Sequence, residues 1–291
     1  MRLDDLRPSD NVDDRRGQGG GGGGFGPRMA VGGGGFGIIV IILIALFLGV
    51  DPSQLLGGGG GPVSPVQQTQ PSSGPRSDDA SFQFARKIIG SNEDIWKAEL
   101  ASRGVQYQPA IFTPYDNATS TACGAGQSAA GPFYCPGDQR IYIDLSFFNE
   151  LATRFGAPGD FAQAYVIAHE YGHHIQNLLG TMQRQRGNLS GPQSKGATGA
   201  SVRLELQADC YAGVWANKAQ ARFNILQTGD VEEGLRAASA VGDDTLEKQA
   251  QGYVVPDSFT HGSSAQRVRW FQRGFQTGDI DQCDTFNAST L

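Results

Sequence analysis

The chemistry of this chain concentrates in His169-Glu170-Tyr171-Gly172-His173, an H-E-x-x-H sequence. Four-residue spacing on an α-helix puts two side chains on one face, one turn apart, where both imidazoles can bind one zinc ion at about 2.0–2.1 Å. Glu170 sits about 100° round from His169, near enough to serve a water on the same ion without being a ligand. Only two other histidines exist, His174 and His261. His174 lies about 100° beyond His173, turned away from the shared face. Two ligands do not make a catalytic site, so a third must come from elsewhere. Glu205 and Asp209, again four apart, stand among the apolar Leu204, Leu206, Ala208 and Cys210. Glu205 is the expected third ligand, leaving a fourth position open for water. Asp209 is expected to accept a hydrogen bond from the outer nitrogen of His169 or His173 and so fix that ring.

The elements that must position these residues are mostly helical. Helical patterning covers 79–89, 93–101, 161–179, 202–223, 231–241, 244–251 and 264–271. Asp160 is the expected N-cap of the first motif's helix and Gly180 its stop, with Phe161, Tyr165, Ala168, Gly172, Ile175 and Leu179 sharing an inward stripe. The loop from Gly180 to Ala200 lets the two motif helices pack side by side. Strand patterning is confined to 107–112 and 140–145, where Ile141, Ile143 and Leu145 alternate with their neighbours. Few strands and several long helices imply an α+β domain, mostly helical, with a small sheet.

Upstream, the composition changes. From Met29 to Val50 there is no charged residue, and the apolar run from Gly37 to Val50 predicts one transmembrane helix. Its long leading segment and the lack of an A-x-A-like exit favour an uncleaved anchor over a signal peptide. Five Arg precede the run and none follows until Arg76, which predicts a cytoplasmic N-terminus and an exported domain, periplasmic or extracellular. The expected organisation is a disordered Gly/Asp/Arg-rich tail over 1–36, an anchor over 37–56, a Gly/Pro/Ser linker over 57–79 and a catalytic domain over 80–291. Residues 1–76 carry six Arg and six Asp, so the whole net charge of −6 falls on the remainder. An acidic domain has no basic face for phosphates, which excludes nucleic acid as a partner. Four cysteines allow three pairings in an oxidising compartment. The favoured one joins Cys123 to Cys135 as a loop staple and Cys210 to Cys283 to pin the C-terminal tail; four reduced, buried cysteines are the alternative if the topology differs.

The segments Cys135–Leu145, the His169 helix, Glu205–Gly213 and His261–Phe271, with the glycine-rich N-terminus and apolar run, resemble the bacterial membrane-anchored neutral zinc metallopeptidases. The gluzincins, with H-E-x-x-H and a downstream E-x-x-x-D, are similar at greater distance. The resemblance covers about residues 80–285 and implies a zincin-like domain holding one zinc per chain, with a peptide or protein as substrate and the lipid bilayer as a second partner. In that chemistry Glu170 is the general base. His261, in a Gly/Ser loop before a helix, is the expected donor to the oxyanion or, alternatively, a packing or capping residue of that helix. Tyr171 and Tyr253 are weaker candidates. Strand addition at 140–145 is the expected mode of substrate binding, with an ordinary core strand as the alternative. Arg267, Arg269 and Arg273 are expected to pair with the domain's acidic excess. The competing class is a membrane-tethered interaction module that keeps the fold without turnover.

Overall fold

The computed structural model describes residues 1–18, 76 and 78–291. Seven helices carry the architecture: α1 (Asp79–Ser102), α2 (Phe147–Thr153), α3 (Asp160–Leu178), α4 (Ala200–Phe223), α5 (Asp230–Ala240), α6 (Asp243–Gln251) and α7 (Ser264–Thr277). Five short strands, β1 (Ile111–Tyr115), β2 (Ala118–Thr121), β3 (Gly124–Gln127), β4 (Phe133–Cys135) and β5 (Arg140–Asp144), form a sheet ordered β1-β5-β4 and a separate β2-β3 hairpin. β1 runs parallel to β5 in the register Phe112 to Ile141, and β4 runs antiparallel to it, Tyr134 opposite Ile141. The α+β class with a small sheet is therefore correct. β5 is central and paired on both sides, so the expectation of a substrate-binding edge at 140–145 is corrected: the edge is β4.

α3 is buried on nearly every side, from Phe161 through Gln176, as a helix at the centre of a domain must be. The amide of its second residue is capped from another element, Phe161 N donating to Glu233 Oε2 at 3.1 Å. Asp160, the expected cap, is instead the first helical residue and faces the Met1 amino group at 2.6 Å. Gly180 ends the helix in the left-handed region at φ 73°, where glycine carries no Cβ penalty. Glycines set the approach of the other helices. A Cβ at Gly172 would lie 2.9 Å from the Ala208 carbonyl, so α3 and α4 touch backbone to backbone between the two motifs. A Cβ at Gly274 would overlap the Cys210 carbonyl and one at Gly213 that of Phe271, which draws α7 onto α4.

Helix α1 runs unbroken where two helices were expected. Ser91 and Asn92 donate back to the Ile88 carbonyl at 2.7 and 3.0 Å, so residues that read as a break are accommodated within the helix. Gly90 serves another element, since a Cβ there would overlap the carbonyl of Arg7. Strand β1 lies later than predicted, over Ile111–Tyr115, and includes Pro114, whose carbonyl accepts from Arg15 N at 2.9 Å.

The expectation of a disordered tail fails for its first half. Residues 1–18 pack on the domain: Leu6 is buried in the core, Val12 and Arg15 bridge in parallel to Phe112 and Tyr115, and Arg7 pairs with Glu93 and Asp94. Apolar and hydrogen-bonding residues at Leu6, Ser9 and Val12 match a prepared surface, which composition averaged over 1–36 conceals. The remainder of the tail, the anticipated anchor over 37–56 and nearly all of the linker lie outside the described residues. Among the described residues no helix is long and apolar enough to cross a membrane. Both favoured disulfides are present, Cys123–Cys135 and Cys210–Cys283.

Candidate metal centre

α3 and α4 bring His169, His173 and Glu205 together. His169 Nε2 lies 3.1 Å from Glu205 Oε2, His173 Nε2 lies 3.4 Å from Glu205 Oε1, and all three ligand atoms fall within 4.8 Å of one another. Ligands bonded at 2.0–2.1 Å at the corners of a tetrahedron stand about 3.3 Å apart, so these separations fit a zinc ion.

Both outer imidazole nitrogens are engaged away from that centre. His169 Nδ1 donates to Asp209 Oδ1 at 2.8 Å, and His173 Nδ1 donates to Gln176 Oε1 at 2.8 Å. Gln176 cannot present its amide the other way round, because its Nε2 donates to the Leu204 carbonyl at 2.7 Å and to Gln207 Oε1 at 3.2 Å. Gln207 is fixed in turn by donating to the Cys283 carbonyl at 3.0 Å. With the protons on Nδ1, each Nε2 lone pair is left for a cation, the tautomer that metal ligation needs.

Asp209 takes its expected place beside His169 and is the hub of a buried network. Tyr165 OH donates to its Oδ1 at 2.5 Å, and Arg267 clamps it from Nε to Oδ2 at 2.8 Å and from Nη2 to Oδ1 at 2.9 Å. Burial alone would raise the Asp209 pKa; the Arg267 cation and His169 overcome it and hold the carboxyl at about 2, ionised at any ordinary pH. For His169 burial disfavours the charged ring, but Asp209 and Glu205 outweigh it and push the pKa up to about 10. Such a collection of carboxylates requires positive charge at its centre, supplied by a proton or by a bound metal. Glu170 is 8% exposed, and burial raises its pKa against the lowering effect of the two histidines.

His261 lies on the same side of the molecule as Glu205. A Cβ on the neighbouring Gly262 would be 3.1 Å from Val202 and 3.3 Å from Leu206, on the helix that carries Glu205. Its ring is held by Asp243, with Nδ1 donating to Oδ1 at 3.0 Å, while Asp243 Oδ2 accepts from the amides of Thr260, His261 and Gly262 at 2.7, 2.7 and 2.9 Å. Burial lowers the His261 pKa, and Asp243 more than restores it, so the net shift is upward. Capping of α7 falls to Ser263 and Gln266, which form a capping box. His261 is therefore not the cap that one sequence alternative made it.

His174 faces the sheet, not the metal site. Its Nε2 donates to the Gln108 carbonyl at 2.7 Å, its Nδ1 accepts from Tyr134 OH at 3.1 Å, and burial lowers its pKa to about 4. Tyr171 turns the same way and pairs with Tyr107 at 2.5 Å, while Tyr253 is 61% exposed. Neither joins the site. A second carboxylate group, Asp160, Asp230 and Glu233, is occupied by the chain itself: Met1 N lies 2.6 Å from Asp160 and 3.5 Å from Asp230, and Glu233 caps α3. Asp243, Gln176, Gln207 and Tyr165 had no sequence signal of a role at the site. A buried arginine at position 267 was legible only as one of three basic residues on α7.

No solved structure matches this chain. Among curated proteins, "Uncharacterized protein YpfJ" of Escherichia coli K12 is 48% identical over 291 residues, covering 99% of this chain and 100% of its own length. "Uncharacterized protein Mb2605" of Mycobacterium bovis and "Uncharacterized protein Rv2575" of Mycobacterium tuberculosis are each 43% identical over 228 residues, 74% of either chain. Residues 1–286 match the family described as "Putative neutral zinc metallopeptidase", and with that span the chain belongs to this family of zinc metallopeptidases.

Proposed function

We propose that this protein is a zinc-dependent endopeptidase that hydrolyses peptide bonds at the His169, His173 and Glu205 centre. The observation that carries the proposal is the preset tautomer of both histidines, with lone pairs converging on a carboxylate at tetrahedral spacing and Glu170 beside them. A zinc ion bound there supplies Lewis acidity for the scissile carbonyl and lowers the pKa of water from 15.7 toward about 7.

The chain's own residues do the rest. Glu170, its carboxyl pKa raised by burial, takes the proton of the attacking water and delivers it to the leaving amine. His261, its Nδ1–H held by Asp243, offers Nε2–H to the oxyanion as it forms. Asp209, Tyr165 and Arg267 keep the His169 ring in place throughout. An extended peptide would add to the outer edge of β4, which pairs only with β5 among the described strands. That strand lies beside α3, since Tyr134 OH accepts from Asn177 at 2.9 Å and meets His174.

Zinc content and proteolysis of an unstructured protein, measured for the full chain and for Glu170→Gln, test the proposal. Wild type is expected to hold one zinc and cleave, and the variant to hold one zinc and lose about 10²–10⁴-fold in rate. Equal cleavage by both would remove Glu170 from the mechanism. Zinc without cleavage by wild type would favour the interaction module instead.

A further inference from the structure

We infer that residues 1–18 and the metallopeptidase domain occupy the same side of any membrane, because the segment is a built part of the domain. The contact is specific along its whole length. Glu93, 4% exposed on α1, receives the carboxylate hydrogen bonds described for it from this segment alone: Arg7 Nη2 at 2.8 Å, Ser9 Oγ at 2.5 Å and Asn11 Nδ2 at 2.8 Å. Gly90 lacks the Cβ that would overlap the Arg7 carbonyl, so α1 is shaped for the chain that crosses it. Ser9 N donates to Arg86 O at 2.9 Å, and Lys87 Nζ and Arg86 Nε donate back to the carbonyls of Leu3 and Ser9 at 2.8 and 2.9 Å.

The sheet is extended by the same segment. Phe112 N donates to Asn11 O, Asp13 N to Phe112 O and Arg15 N to Pro114 O, each at 2.9 Å, adding a parallel strand beside β1. Without it the buried Phe112 would sit on an open sheet edge. The family match also begins at residue 1, so the segment belongs to the shared unit and not to a variable tail.

These bonds cannot form across a hydrocarbon layer about 30 Å thick. Residues 1–18 and the domain therefore cannot be parted by a bilayer. The apolar run predicted the crossing, and the five Arg ahead of it predicted only its orientation. Three of them are engaged by the fold: Arg7 with Glu93 and Asp94, Arg15 with Asp13, and Arg16 with Asp14 and Asp78. Their presence is explained without a topological signal. The inference is independent of peptidase activity.

Two variants of the full chain test it, Asp5→Cys and Glu232→Cys, each adding one cysteine at an exposed position to the four that form the disulfides. Intact cells are treated with a membrane-impermeant maleimide, lysed cells serve as the labelling control, and added mass is read against the parent chain. Both sites labelled, or both protected until lysis, is the expected outcome. Labelling of one and protection of the other would overturn the inference. The docking itself is read from melting temperature: the loss caused by Ser9→Ala should shrink by at least half in a Glu93→Gln background. Equal losses in the two backgrounds would remove the contact on which the inference stands.

Discussion

Replacing Gly172 by Ala should disturb the metal centre without touching a ligand. The added methyl would stand 2.9 Å from the Ala208 carbonyl and 3.1 Å from its Cα, against an ordinary contact of 3.4 Å or more. Helices α3 and α4 must separate by about 0.5 Å, and backbone atoms, unlike a flexible side chain, cannot swing aside. Overpacking of this kind costs about 1–3 kcal/mol, and the better helix propensity of Ala returns up to about 1 kcal/mol. The net loss of fold stability is therefore about 0–3 kcal/mol. Zinc affinity should suffer more visibly, because the shift moves Glu205 relative to both histidines and metal bonds tolerate about 0.2 Å. A loss comparable to removing an orienting hydrogen bond, about 10–100-fold, is expected. Competition with a chromophoric chelator reads the affinity, and denaturant unfolding reads the stability. Gly187→Ala is the control, since a Cβ there meets nothing within 4 Å: zinc affinity should stay near its starting value and stability should hold or rise by up to about 1 kcal/mol. A Gly172→Ala protein with zinc affinity within twofold of wild type would refute the claim that this contact sets the ligand geometry.

Arg267→Met leaves the Asp209 carboxylate buried without its cation, and urea unfolding should record a loss of about 3–5 kcal/mol. Lys at 267 should not restore it, because one ammonium cannot make both contacts of the guanidinium. The buried His174 makes stability depend on pH in a calculable sense. Burial lowers its folded pKa to about 4, below the unfolded value of 6.5, so between those values the unfolded chain binds a proton that the folded chain refuses. This contribution costs stability as pH falls from 6.5 to 4, up to about 3 kcal/mol. His174→Gln, which can still donate to Gln108, should flatten that part of the pH–stability curve relative to wild type; parallel curves would show that His174 does not titrate there.

What could be read from the sequence and what could not divides by the range of the interactions. His169, His173, Glu205 and Asp209 were legible because an i, i+4 spacing on a helix is a local geometric fact. Their convergence needed only that two long helices pack together. Arg267 and Asp243 act over long sequence separations, 58 residues from Arg267 to Asp209, and carry no local pattern. Gln176 and Gln207 look like any polar helical residues until their amides are seen in a chain that ends on the Cys283 carbonyl. β1 runs past Phe112 to Tyr115 through Pro114, which has no N–H to give the ladder but whose carbonyl accepts from Arg15 N. The N-terminal segment misled most. Glycine and aspartate dominate its average composition, while its folding depends on single residues, Leu6, Ser9 and Val12, meeting a surface far along the chain.

X-ray absorption at the zinc edge of the metal-loaded full chain probes the centre most directly. The expected spectrum is a single shell of nitrogen and oxygen at about 2.0–2.1 Å, with the outer-ring scattering of two imidazoles and one zinc per chain. A sulfur shell near 2.3 Å, or fewer than two imidazoles, would contradict a centre built from His169, His173 and Glu205.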